Sequence, residues 1–123
     1  MTIQVFQPTL SQDELLAIAD SFNTGWIGKG PKVDEFERAL AEHIGVDAAN
    51  VVSVNSCTEG LFTAVQLLGI GPSDEVIIPT IHFVGAAQAV LSVGARPVFC
   101  DVDSRTLNAT AITIFKALTD KTK

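Results

Sequence analysis

The stretch from Val51 to Leu68, VVSVNSCTEGLFTAVQLL, decides how the rest of the chain is read. Four residues rich in valine lead into the small polar segment Asn55, Ser56, Cys57 and Thr58, after which Leu61, Ala64, Val65 and Leu68 recur at helical spacing. The pattern predicts a strand over Val51–Val54, a tight turn and a helix. Such a turn leaves the first helical N–H groups unpaired and aimed at one point, with the hydroxyls of Ser56 and Thr58 beside them, which suits an anion such as phosphate. Glu59 agrees with the helix dipole but would face away from a bound anion. The same polar residues are also what an ordinary helix N-cap requires, so on the residues alone both readings stand.

Working outward, 123 residues make at most one domain, able to bury about 65% of its unfolded surface. A hydrophobic share of 47% is high for that length and predicts apolar faces meant for a partner or for further sequence. Fourteen acidic against eight basic residues give a net charge of −6, with no basic stripe interleaved with aromatics, which argues against nucleic acid as a partner. The two cysteines, Cys57 and Cys100, show neither a CxxC pattern nor metal-ligand spacing and read as reduced thiols in a cytoplasmic protein. The N-terminus has no basic segment followed by an apolar core, so no secretory signal is expected. Val76–Ala95 lacks Asp, Glu, Lys and Arg, yet Pro79, His82, Gly85 and Gln88 interrupt it. It parses as a short buried strand and a helix of about eleven residues, too short to span a bilayer, and no membrane partner is expected.

In chain order, a helix is expected from about Ser11 to Phe22, opened by a Ser11/Glu14 capping box, with Leu15, Leu16, Ile18, Ala19 and Phe22 on its apolar face. The glycine-rich loop Asn23–Pro31 follows, then a helix over Lys32–Ile44 with Val33, Phe36, Leu40 and Ile44 inward and Gly45 as its stop. After the central unit come a loop over Gly69–Glu75, a strand over Val76–Ile78 ended by Pro79, and a helix over Phe83–Val93 stopped by Gly94. A strand over Pro97–Val102 and a last helix, from near Asn108 or Thr110 to Leu118, complete the plan. Short apolar strands alternating with helices give an α/β fold: a parallel sheet with helices on both faces and right-handed crossovers. The loop before Lys32 is the one candidate boundary, dividing an N-terminal helix and loop (1–31) from the remainder (32–123).

The succession GWIGKGPKVDEFERALAEHIGV (25–46), NSCTEGLFTAVQLLGIGPSDEVIIPTIHFVGAAQAVLSVGARPVFCDVD (55–103) and TDKTK (119–123) resembles the N-terminal part of the DegT/StrS-type sugar aminotransferases. The likeness covers nearly the whole chain in order and spacing. It implies the large domain of a pyridoxal 5'-phosphate-dependent enzyme of the aspartate aminotransferase fold (fold type I), with 32–123 as the first part of the cofactor-binding domain. In that family the first strand lies toward one side of a seven-stranded sheet and the next two at the other edge, with intervening strands supplied later in the chain.

By this resemblance Ser56, Cys57 and Thr58 hold the cofactor phosphate through backbone N–H groups and the threonine hydroxyl, where relatives read Ser-Gly-Thr or Ser-Ala-Thr. Cys57 is then a spacer that contributes its N–H. PTIHFVGA (79–86) matches a Pro-Ser-Phe-Thr-Phe-Val-Ala-Thr pattern, which makes Phe83 the ring that stacks on the pyridine. Without the resemblance, Phe83 reads as a core residue at the start of an apolar helix. His82 stands where relatives have threonine, either at the cofactor edge or packed near a helix start. Asp101 and Asp103 form a D-x-D pair that would suit a metal or acid–base couple, but relatives carry it without metal, so a turn-forming role is expected. Trp26 and Lys29 are placed by the resemblance near a sugar-nucleotide pocket and a dimer contact.

The family's chemistry needs a lysine that holds the cofactor aldehyde as a Schiff base and a carboxylate on the ring nitrogen. Lys29, Lys32, Lys116, Lys121 and Lys123 all lie outside the family's lysine motif. No catalytic residue is therefore expected here, and the chain is expected to be inactive alone. The implied function is amino transfer from glutamate to a nucleotide-linked keto-sugar by a cytoplasmic homodimer. Two other classes stay open: a non-catalytic phosphate- or nucleotide-binding module, and a ligand-free interaction fragment.

Overall fold

Local signals set the helix ends. Ser11 caps α1 (Gln12–Thr24), its hydroxyl accepting the Asp13 N–H at 3.1 Å while Glu14 reaches back to the Ser11 backbone, which completes the expected capping box. Pro31 supplies the first residue of α2 (Pro31–Ile44), where its missing N–H costs nothing. Gly45 then takes a φ of 75°, and the Val46 N–H closes onto the Ala41 carbonyl at 2.9 Å. The computed structural model describes residues 7–123; residues 1–6, which open the expected 1–31 segment, lie outside the described part. The chain forms two compact units, one ending at Ser53 and the other running from Val54 to Lys123.

In the first unit α2 packs on the short 3-10 turn Ala48–Asn50, and its buried residues are Glu37 and Ala41. The expected inward stripe is largely in the open. Phe36, Leu40 and Ile44 are exposed and Val33 is half-buried, while the apolar face of α1, from Leu15 to Phe22, is exposed throughout. Periodicity marks an apolar stripe but cannot name its cover, and among the described residues of this unit nothing covers it. Glu37 is buried because its carboxylate has work to do there. It accepts the Ser53 N–H at 2.7 Å and lies 3.3 Å from the Lys29 ammonium, and the Ser53 bond above all lowers its pKa.

The second unit contains α3 (Cys57–Leu67), β1 (Glu75–Pro79), α4 (Gly85–Ser92), β2 (Arg96–Cys100) and α5 (Ala111–Ala117). Strands β1 and β2 pair in parallel, from Glu75 opposite Arg96 to Pro79 opposite Cys100, with α4 as the connection between them. The core joins Val65 of α3, Ile78 of β1 and Ala89 and Val90 of α4 to Ile70 and Ala95, flanked by Leu61, Phe62, Val76 and Ala86. The expected strand at Val51–Val54 is not one. Its backbone is extended at Val51 (φ −118°, ψ 122°) but joins no ladder among the described residues, because a strand exists only beside a hydrogen-bonded neighbour. The other elements lie within two or three residues of their expected ends.

One charge organises the start of this sheet. Glu75 is 3% exposed, accepts the Thr119 hydroxyl at 2.7 Å and pairs with the Arg96 guanidinium, whose Nε is 3.2 Å away. On the free edge of β1 its N–H donates to the Lys121 carbonyl at 2.8 Å and its carbonyl accepts the Lys123 N–H at 3.0 Å, a single parallel bridge to Thr122. The Thr119 hydroxyl and then Arg96 hold the Glu75 carboxyl below the ordinary glutamate value. A carboxyl with a depressed folded pKa adds stability above its unfolded value and loses it as pH falls through the folded one. The thermal midpoint of the chain should therefore fall on acidification below the ordinary glutamate range, and Glu75→Gln should lower the neutral-pH midpoint and flatten that fall. Superimposable pH profiles for the two proteins would remove Glu75 from this role.

Candidate cofactor site

Thr58 and Phe83, expected at the site on different grounds, stand beside one another in the second unit. Ser56 is the N-cap of α3: its hydroxyl accepts the Glu59 N–H at 3.1 Å and its carbonyl accepts the Gly60 N–H, also at 3.1 Å. The capping reading of Ser56 is thus realised, and its hydroxyl is already engaged. Among the described residues nothing accepts from the N–H groups of Cys57 and Thr58, nor from the Thr58 hydroxyl. These three donors sit on the first turn of an 11-residue helix, at the positive end of its dipole.

Phe83 belongs to the turn that carries the chain from β1 into α4. Strand pairing ends at Pro79 opposite Cys100, the Thr80 N–H adds a bond to the Cys100 carbonyl at 3.0 Å, and the chain then bends through Ile81 and His82. Phe83 is 71% exposed, so it is not part of the core. A Cβ built on Gly85 would lie 2.9 Å from Cε1 of Phe83 and 3.4 Å from Oγ1 of Thr58, so ring and hydroxyl converge over one glycine. The sequence reading took Gly85 only as an interruption of an apolar run, not as part of the site, and it stands where the resembled pattern has alanine. A glycine opening an alanine-rich helix was the available signal.

The donor set suits a phosphorylated, flat cofactor. Two backbone N–H groups and a hydroxyl at a helix N-terminus match a phosphate, and an exposed aromatic face beside them matches a planar ring. Cys57 is exposed at the first helical position and Cys100 is buried in β2; both are free thiols. His82 stacks on Phe99, ring centroids 6.3 Å apart and planes within 14°, and its Nδ1 meets the Phe83 carbonyl.

Asp103 is a turn-former, as expected. Its carboxylate accepts the N–H groups of Thr106 and Arg105 at 2.9 and 3.0 Å, which lower its pKa in that order. Asp101 bonds to the neighbouring Val102 N–H at 2.8 Å. In the first unit, Trp26 Nε1 donates to the Lys29 carbonyl at 2.7 Å, and the Lys29 ammonium is held by Glu37. Among the described residues no helix is long and apolar enough to cross a membrane.

Comparison with known proteins gives a consistent picture. Residues 8–123 match the sequence profile of the DegT/DnrJ/EryC1/StrS aminotransferase family. The chain is 52% identical over 121 residues to dTDP-4-dehydro-2,3,6-trideoxy-D-glucose 4-aminotransferase of Saccharopolyspora spinosa, covering 98% of the chain and 31% of that protein. The crystal structure of the aminotransferase TlmJ from Streptoalloteichus hindustanus superposes with a TM-score of 0.94 at 56% identity, over 99% of this chain and 33% of that one. Spr1654 of Streptococcus pneumoniae, in its PLP form, superposes with a TM-score of 0.85 at 31% identity, over 100% of this chain and 31% of that one. The chain thus spans about a third of the length of these proteins. The fold is the α/β fold of PLP-dependent aminotransferases, as expected.

Because Ser56 is engaged as a cap, its loss should be felt in stability. Ser56→Ala should destabilise the second unit by about 0.5–2 kcal/mol in urea denaturation, the usual cost of removing an N-cap hydroxyl. An unchanged midpoint would mean that the cap contributes nothing.

Proposed function

Since the chain belongs to the DegT/DnrJ/EryC1/StrS aminotransferase family, we propose that it supplies the phosphate- and ring-holding part of a pyridoxal 5'-phosphate-dependent sugar-nucleotide aminotransferase. The whole protein then moves an amino group from glutamate to a nucleotide-linked keto-sugar, as a cytoplasmic homodimer. The observation that carries this reading is the meeting of the α3 N-terminus with the Phe83 ring across Gly85. When bound, the cofactor supplies an electron sink for the carbon bearing the amino group.

What this chain's residues do is hold and orient. The N–H groups of Cys57 and Thr58 and the Thr58 hydroxyl take the phosphate oxygens, with no backbone rearrangement because the helix already points them outward. The Ser56 hydroxyl stays on the Glu59 N–H, so its contribution is to keep the turn closed. Phe83 presents its face to the pyridine ring and keeps water from that side. In this reading none of the chain's own lysines holds the aldehyde. Lys29 and Lys32 have side chains 63% and 61% exposed, and Lys116, Lys121 and Lys123 are exposed as well. The role needs an amine activated by burial or neighbouring cations, and exposed side chains lack that burial.

Two outcomes follow. In the whole protein, Thr58→Val should weaken pyridoxal phosphate binding about ten- to hundredfold, the equivalent of one charge-assisted hydrogen bond of ~1.5–3 kcal/mol. An unchanged affinity in a spectroscopic titration would contradict the phosphate assignment. For the 123-residue chain, pyridoxal phosphate followed by borohydride should give scattered, substoichiometric lysine labelling by mass spectrometry and no transaminase activity. Stoichiometric labelling of a single lysine would contradict the assignment of the lysines.

A further inference from the structure

The two edges of the sheet in the second unit are not alike. The Arg96 N–H donates to the Asp74 carbonyl and the Thr80 N–H to the Cys100 carbonyl, each at 3.0 Å. Backbone groups along a parallel strand alternate in direction, so Arg96, Val98 and Cys100 turn theirs toward β1, and Pro97 and Phe99 turn theirs to the outer edge of β2. Pro97 has no N–H, which leaves Phe99 as the one donor of that edge and makes it a poor place for a strand to add. On β1 the outward residues are Glu75, Ile77 and Pro79. Glu75 is already engaged there: its N–H donates to the Lys121 carbonyl at 2.8 Å and its carbonyl accepts the Lys123 N–H at 3.0 Å, in a parallel bridge to Thr122. Ile77 comes next on this edge, and among the described residues nothing bonds its N–H or carbonyl.

A groove of about 240 Å³ borders the same edge. Ile77 and Pro79 line it together with Leu61, Ala64 and Val65 of α3 and Ala86 of α4, and every side chain around it is apolar. We propose that this edge and groove are the docking surface for the residues that directly follow Lys123 in the whole protein, which continue the register begun at Thr122 as a third parallel strand along β1. In that register the Ile77 N–H donates to the Lys123 carbonyl, and the Ile77 carbonyl accepts the N–H of the second residue beyond Lys123. That second residue lies beside Ile78, which is 4% exposed, so its side chain is on the core face, over the groove. β1 becomes an interior strand, and β2 keeps its proline-bearing rim. Because the added strand runs parallel to β1 it ends beside Pro79, and the loop after it emerges at the end of the sheet that carries Phe83. None of this depends on the cofactor reading of Thr58 and Phe83.

The test is amide hydrogen exchange, read residue by residue in the whole protein by NMR. The Ile77 N–H should exchange at least about a hundredfold more slowly than an unpaired amide, as slowly as those of Val76 and Ile78 in the existing ladder. Its amide proton should also show a nuclear Overhauser effect to the residues just beyond Lys123. A fast-exchanging Ile77 overturns the proposal, as does protection of Phe99 with Ile77 left open, which would mean that the sheet grows from β2. Protection of Ile77 that is lost on dilution would place a second copy of the protein on this edge and would equally overturn it. Sequence gives an independent reading: the second residue beyond Lys123 should be apolar, and a charged residue there contradicts the register.

Discussion

The second unit depends on a buried carboxylate at the first position of its sheet. Glu75, 3% exposed, answers to three segments at once: the Arg96 guanidinium at the start of β2, the Thr119 hydroxyl, and the backbone of Lys121 and Lys123 through its own N–H and carbonyl. A buried charge is tolerated only when its hydrogen-bonding capacity is met, so Glu75 selects one register for β1 against β2. That register runs unbroken to Pro79 opposite Cys100 and then to the Thr80 N–H on the Cys100 carbonyl. The bend that follows delivers His82 and Phe83 to a defined place. The placement of the ring beside Thr58 is thus the far end of a ladder anchored at Glu75.

Sequence reading succeeded where the cause is local. The Ser11/Glu14 box, Gly45 as a helix stop, the Ser56 cap and the turn made by Asp103 each depend on residues within a few positions of one another. It failed where the cause lies elsewhere in space. Among the described residues Val51–Val54 has the composition of a strand but no ladder, and the stripes of α1 and α2 have the spacing of a buried face but no cover. Nothing local to Glu37 or Glu75 announces that Lys29 and Ser53, or Arg96 and Thr119, will converge on them. At the candidate site, the turn at Ser56, Cys57 and Thr58 was legible as a helix start that could cap or bind an anion, and the structure realises the Ser56 cap. Phe83 was proposed for the site only through family resemblance, the residues alone suggesting a core position, and Gly85 was read only as an interruption of an apolar run, since its nearness to Phe83 and Thr58 appears only in space.

The distribution of apolar surface follows from the same separation of local and distant causes. Ile18, Phe22, Phe36 and Ile44 in the first unit, and Phe83, Ile112 and Phe115 in the second, are all exposed by half or more. The high hydrophobic share of the chain is therefore carried largely on its surface, while the buried core of the second unit is built mostly from small and β-branched residues. The chain spans about a third of the length of the relatives it resembles.

The central claim is that the first turn of α3 and the ring after β1 form one cofactor cradle. It is tested most directly by following backbone amide and aromatic resonances while pyridoxal 5'-phosphate is added to the protein. The account predicts shifts concentrated at the Cys57 and Thr58 amides and the Phe83 ring, with Glu59, whose N–H is already held by Ser56, moving less. Shifts dispersed over the exposed lysines, or centred elsewhere with Thr58 and Phe83 unmoved, would contradict it.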